Sequence, residues 1–134
     1  MIDPISEMLT KIRNAQRAGH GEVLARFSKM KWAIAQILRD EDFIEDAVLE
    51  RGEKAEKIKI KLKYYPISAT EKKPAIGEIN RVSKQGKRVY VKNKEIRSVK
   101  NGYGLAIIST PEGLMSGKEA RKKGLGGEYI CEVW

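Results

Sequence analysis

The sequence predicts an α+β protein built as two small units. One is an N-terminal α/β unit over residues 1–66, two helices on a three-stranded sheet. The other is a C-terminal β-rich unit over residues 67–134 with one short helix. Three observations predict this. Between residues 3 and 40, two stretches carry apolar residues at the 3–4 spacing of amphipathic helices. Residues 57–64, KIKIKLKY, alternate strictly, with Ile58, Ile60, Leu62 and Tyr64 on one face and four lysines on the other. From residue 76 onward the patterned segments have period two, broken by glycine turns and one short helical stretch. At 134 residues and 41% hydrophobic content, the chain can bury a core.

The elements follow in order. Asp3 and Pro4 suit the N-cap and first position of a helix. Ile5, Met8, Leu9, Ile12 and Ala15 form its apolar stripe, and Gly19 stops it. Val23, Ala25 and Phe27 alternate as a short strand. Ser28 is the N-cap expected for a second helix, whose stripe is Met30, Ala33, Ile34, Ile37 and Leu38. Lys29 and Lys31 in its first turn oppose the positive end of the helix dipole and point to an anionic partner. Residues 43–50 pair with 57–64 across the gap RGEKAE as a hairpin, and 64–75, rich in proline, lysine and small residues, is the candidate linker. Strands are expected at 76–83, 88–92 and 105–109, with turns at KQGK and NGYG and one helical turn within 94–100. Ser116 and Glu119 fit a capping box for a helix over KEARKK that ends at Gly124. The closing strand EYICEVW places Tyr129, Cys131 and Val133 on one face.

Charge directs attention to partners. Lys and Arg number 27 against 18 Asp and Glu, a net charge of +9. Residues 1–50 are near neutral at −2, and residues 51–134 carry +11. Such a balance fits nucleic acid, an anionic membrane or an acidic protein. A single cysteine, Cys131, forms no internal disulfide and suits a reducing compartment. No apolar run approaches the ~20 residues needed to span a bilayer, and MIDPISEMLTKIRNA lacks signal-peptide features. Cytoplasm is the expected location.

The segment STPEG (109–113) raises the question of an enzyme, a plain turn or a binding surface. His20 is the only histidine and lies between two glycines in a loop. Ser109 lacks the flanking glycines of a nucleophile elbow. One Cys and one His make no usual zinc site. Gly117-Lys118 resembles part of a phosphate loop, but Glu119 and Glu112 occupy its defining positions. Cys131 reads as a small core residue. No catalysis, cofactor, metal or small-molecule substrate is expected.

Binding fits better. Residues 72–100 carry ten basic residues against Glu78 and Glu95, a net +8, a density that rewards contact with phosphates. In RVYVK, Arg88, Tyr90 and Lys92 share one face, an aromatic between two cations. Ser109 and Thr110 supply hydroxyls. GLGGE (124–128) supplies small residues that admit a nucleic-acid backbone; Glu128 repels phosphate, so composition alone does not select it, although it could accept from base amines or orient a hydroxyl.

These residues also carry a resemblance. ISTPEGLMSGKEARKKGLGGEYICEVW (108–134) resembles the C-terminal signature of the bacterial-type small-subunit ribosomal protein S8 family: S-T-x-x-G, a helix with acidic residue, Ala and Arg, then G-G-E and a closing strand. DPISEMLTKIRNA resembles the family's first helix, SKMKWAIAQIL its second, FIED the strand after it, and RVSKQGKRVYVK its basic hairpin. The resemblance covers nearly the whole chain in order. It implies a two-domain primary binder of the central domain of small-subunit ribosomal RNA (16S rRNA), with neighbouring small-subunit proteins as further partners. The ribosome of the cytoplasm, or of an organelle stroma or matrix, is its expected place. It also implies, as in many bacterial members, the messenger RNA of its own operon as a second ligand; a general basic module for acidic partners is the alternative from another class. Carried over, the RNA contacts are Thr10, Arg13, Asn14, Ser28 and Lys31 in the N-terminal unit, and Arg88, Tyr90, Lys92, Ser109, Thr110 and Glu128 in the C-terminal unit. Three features depart from the family pattern: Pro111 replaces a third hydroxyl residue, KQGKR replaces a Pro-Gly turn, and the 64–75 segment is longer.

Overall fold

In a computed structural model that describes residues 3–134, the apolar stripe of the first helix closes into α1, Pro4–Arg17. Residues 1 and 2, which the sequence places in the N-terminal unit, lie outside the described residues. The chain divides into two compact units, Pro4–Gly77 and Glu78–Trp134, the latter including Asp3.

In the first unit, α1 is followed by β1 (Glu22–Arg26), α2 (Lys29–Asp40), β2 (Ile44–Arg51) and β3 (Glu56–Leu62). The strands form an antiparallel sheet of order β1-β3-β2, with the alternating KIKIKL strand in the centre. Ile58, Ile60 and Leu62 are buried as expected, and α1 and α2 pack on that face. A bulge at Glu45 puts Ile44 opposite Leu62 and Ala47 opposite Ile60. Three residues apart, these two would face opposite ways in a regular strand; the extra residue puts both in the core. On the open face Lys59 lies 3.4 Å from Glu22 and 3.5 Å from Glu50, so part of the lysine face is internally compensated.

The stripe of α2 differs from expectation. Its buried residues are Lys31, Ile34, Ala35 and Leu38, one position-set around the helix from the Met30–Ala33 line. Lys31 can take a core-facing position because its four-carbon stem packs while its ammonium reaches outward. Ser28 is the N-cap and accepts from the Lys31 backbone N–H at 3.1 Å.

The segment 64–75 is a hairpin and not a linker: β4 (Tyr64–Pro66) pairs with β5 (Lys72–Pro74). It is braced against the end of α1. The Tyr64 hydroxyl donates to the His20 carbonyl at 2.5 Å, and Lys72 Nζ donates to the Gly19 carbonyl at 3.2 Å while lying 4.2 Å from the Tyr64 ring centre. Its loop-like composition says nothing of these partners, which lie some 44 and 53 residues away.

The second unit contains β6 (Ile79–Arg81), β7 (Tyr90–Val91), β8 (Leu105–Thr110), β9 (Gly113–Ser116), α3 (Gly117–Lys122) and β10 (Gly127–Val133). The strand order is β6-β10-β8-β9, and β7 pairs with β10 further along the edge used by β6. Lys84 and Lys87 close the KQGK turn. The strand β9 has no clear sequence signal, because GLMS is too short to show a period. At α3 only half of the expected capping box forms: Ser116 accepts from the Glu119 N–H at 3.1 Å, while the Glu119 carboxylate pairs with Lys123 at 3.5 Å.

The closing strand departs from simple alternation. A bulge between Tyr129 and Cys131 pairs Tyr129 with Ile108 but Cys131 with Ile107. Tyr129 therefore joins the cluster of Ile96, Ala106, Ile108, Met115 and Ala120, whereas Cys131 and Val133 lie on the opposite face with Ile107 and Leu105. The expectation that Tyr129, Cys131 and Val133 share a face is thus overturned by one inserted residue.

All three α-helices end alike. The N–H groups of His20, Phe43 and Leu125 reach back to the carbonyls of Ala15, Leu38 and Ala120, and the residue before each has positive φ. At two ends that residue is Gly19 or Gly124; at the third it is Asp42, φ 64°. Left-handed backbone costs an L-residue energy that glycine escapes. Asp42→Gly is therefore expected to raise stability by about 0.5–1 kcal/mol in urea denaturation, since the exposed, 4.0 Å Asp42–Lys63 pair that it loses contributes little.

Candidate nucleic-acid interface

The C-terminal candidates converge where β7, β10 and β8 lie side by side. Glu128 is opposite Tyr90 on one neighbour and Ser109 on the other, and Ser109 is opposite Leu114. Directly opposed residues in an antiparallel sheet point the same way, so Tyr90, Glu128 and Ser109 form one row across three strands. The row lines a cleft of 560 Å³ shared with Lys92, Thr110 and Pro111. The floor is made possible by glycine. A Cβ on Gly127 would collide with the Ser109 carbonyl, and one on Gly126 would lie 2.5 Å from the Val91 carbonyl. The expectation that these glycines admit a nucleic-acid backbone is corrected: they admit the protein's own.

Within the row the groups differ in availability. Glu128 is held: Ser83 Oγ donates to its Oε2 at 2.6 Å and Arg88 Nη1 donates to the same oxygen at 2.9 Å. Arg88 thus neutralises the one carboxylate in the row. Thr110 is occupied as well. Its hydroxyl donates to the Gly113 carbonyl at 2.8 Å and accepts from the Glu112 N–H at 3.1 Å, locking the turn around Pro111. By contrast, the Ser109 hydroxyl, the Tyr90 hydroxyl and the Lys92 ammonium have no protein partner among the described residues. Tyr90 is 69% exposed. Lys92 is positioned through its backbone N–H, which donates to Glu95 at 2.7 Å.

Ser83 is a site residue that sequence reasoning missed. It is fully buried, donates to Glu128 and accepts from the Val89 N–H at 3.1 Å. Nothing local marks it: it is one serine in a basic segment, 45 residues from its carboxylate partner.

The N-terminal candidates form a separate patch on the first unit. Thr10 and Asn14 are exposed one helical turn apart on α1, and Arg13 between them is half-buried with an interaction of its own. Ser28 is committed to capping α2. Lys31 is only 8% exposed. Burial lowers its pKa; Glu7 opposes that shift, and Lys11 and Arg26 reinforce it. Three cations therefore converge here, with Lys11 added to the expected set and, from β1, Arg26. Its signal was available in the alternation of β1, which turns Val23 and Ala25 inward and Arg26 outward.

Cys131 is wholly buried, and burial pushes its thiol up to about 12, so it is neither thiolate nor accessible at neutral pH. The Tyr129 hydroxyl is likewise pushed up by burial and donates to Glu132 at 2.9 Å.

The chain matches known proteins over nearly its whole length. The family model described as Ribosomal protein S8 matches residues 3–134. A protein named small ribosomal subunit protein uS8 from Roseiflexus castenholzii is 48% identical over 132 residues, covering 98% of this chain and 97% of the relative. Its namesake from Caldicellulosiruptor bescii is 50% identical over 134 residues, covering 100% and 98%. That from Nitratidesulfovibrio vulgaris (strain Miyazaki F) is 47% identical over 134 residues, covering 100% and 99%.

Three outcomes are expected from this geometry. Ser83→Ala removes the buried donor to Glu128 and the acceptor for Val89, and should cost about 1–3 kcal/mol in thermal or urea denaturation. Iodoacetamide at about pH 8 should leave Cys131 unlabelled in the folded protein and label it in denaturant. With its folded pKa raised above the unfolded value, the stability Cys131 contributes is complete below about pH 9 and declines as pH rises towards 12.

Proposed function

The chain belongs to the ribosomal protein S8 family, and from that membership we propose that it is a primary binder of small-subunit ribosomal RNA that helps assemble the subunit's central domain. It is a structural constituent of the small ribosomal subunit and not an enzyme. Its place is the cytoplasmic ribosome, with neighbouring small-subunit proteins around it. No helix among the described residues is long and apolar enough to cross a membrane.

The observation that supports the RNA reading most is the row of unpartnered groups around a neutralised carboxylate. Lys92 meets a phosphate and releases counterions. Tyr90 offers its ring for stacking or its hydroxyl for the sugar-phosphate backbone. Ser109, able both to donate and to accept, suits a ribose hydroxyl or a base edge. Glu128 is anchored through one oxygen, so its other oxygen can accept from an exocyclic amine. Arg88 offsets the repulsion between that carboxylate and nearby phosphates. On the first unit, Lys11, Arg26 and Lys31 supply a second cationic patch for the same RNA, beside Thr10, Arg13 and Asn14. A messenger RNA that mimics the ribosomal site would compete for the C-terminal cleft.

Filter binding tests this. A structured central-domain rRNA fragment should bind far more tightly than a scrambled RNA of equal length, and equal affinity for the two would sink the proposal. Ser109→Ala should cost about 1–3 kcal/mol of specific binding with unchanged stability. Lys92→Ala should weaken both RNAs and lower the salt slope by roughly one. Thr110→Ala should reduce thermal stability through its turn, by about 1 kcal/mol.

A further inference from the structure

The β4–β5 hairpin carries a feature that the cleft and the cationic patch leave unexplained. Its two faces have different roles. On one, Tyr64 and Lys72 are committed to the end of α1, through Tyr64 to the His20 carbonyl and Lys72 to the Gly19 carbonyl. On the other, Tyr65 lies directly opposite Lys73 in register, and Lys63 Nζ stands 5.4 Å from the centre of the Tyr65 ring. Tyr65 is 50% exposed, and Ile67, at the tip beyond it, is 62% exposed. An aromatic ring and an aliphatic side chain are thus presented to solvent on a short hairpin, where burial would be favourable.

The bracing matters. An isolated two-stranded hairpin is marginally stable. Here the inner face is tied to the turn after α1 by two hydrogen bonds, a cation–π contact between Lys72 and Tyr64 joins the two strands to each other, and the tip is closed by the Ile67 N–H to the Glu71 carbonyl and by Ser68 Oγ, which accepts from the Glu71 N–H. The outer face is therefore held in place before any partner arrives, which lowers the ordering cost of binding. Its charge is mixed but favours an anion. Lys63 and Lys73 flank the ring; Asp42 holds Lys63 only at 4.0 Å, and Glu71 lies at the tip.

We propose that this outer face, Tyr65 between Lys63 and Lys73, is a third RNA-contact site, in which an unpaired base stacks on Tyr65 and the adjoining phosphates meet the two lysines. An aromatic between two cations is the arrangement that single-stranded nucleic acid recognises, and it repeats on the first unit what Arg88, Tyr90 and Lys92 present on the second. The choice of RNA as partner rests on the RNA-binding reading of the protein; the site itself is independent of the cleft.

The test is photo-crosslinking of the full chain to a small-subunit rRNA transcript substituted with 4-thiouridine, with adducts located by mass spectrometry. Wild type and Tyr65→Phe should yield adducts within residues 63–73. Tyr65→Ala should lose them, retain those near Tyr90 and Ser109, and bind the transcript about fivefold or more weakly. Wild-type protein without hairpin adducts, or hairpin adducts that survive Tyr65→Ala, overturns the proposal. So does a hairpin that crosslinks only to another protein in assembled subunits. Hairpin adducts without cleft adducts would uphold this site and reject the cleft reading, so the two fail separately.

Discussion

The second unit depends on how closely β10 lies against its neighbours. At Gly126, just before that strand, and Gly127, its first residue, the main chain sits where no Cβ can fit, against the Val91 and Lys92 backbone on one side and the Ser109 and Thr110 backbone on the other. That approach brings Glu128 opposite both Tyr90 and Ser109. One residue later the strand bulges, which returns Cys131 and Val133 to the face they share with Glu128. Without the glycines the strands would separate and the polar row would lose its register. Without the bulge, Glu128 and the buried Cys131 would face opposite ways. Site and core are therefore set by the same seven-residue strand.

Charge in this protein divides into structural and available parts. Lys59 is shared by Glu22 and Glu50, Arg81 lies 3.1 Å from Asp3, and Arg88 is bonded to Glu128. These cations balance carboxylates inside the fold. Lys92 and Lys73 have no carboxylate partner among the described residues, and at Lys31 the attraction of Glu7 is opposed by Lys11 and Arg26. On the proposed reading a polyanion would be drawn to the second group, while the first keeps the strands that carry it in register. The excess of +9 thus understates how unevenly the usable positive charge is distributed.

Hydroxyls divide in the same way. Ser83, Ser28, Ser116 and Thr110 are consumed by a carboxylate, two helix caps and a turn. Ser109, beside Thr110, is left over. Neighbours in sequence therefore hold opposite roles, because alternate residues on β8 point to opposite faces and only one face meets the Gly113 turn.

The amino-acid sequence encodes most of the fold locally. The stripe of α1, caps at Ser28 and Ser116, stops at Gly19 and Gly124 and the alternation of KIKIKL are encoded within a few residues of where they act, so local reading finds them. It also determined the basic segment, the S-T and G-G-E signatures and hence the family. Tertiary structure alone decided the two bulges, the hairpin at 64–74, the inward turn of Lys31 and the partners of each hydroxyl and carboxylate. Those depend on residues far away in the chain: Tyr64 on His20, Ser83 on Glu128, Gly127 on Ser109. Register between strands is a property of the pair, and a one-residue insertion reverses a face without altering composition.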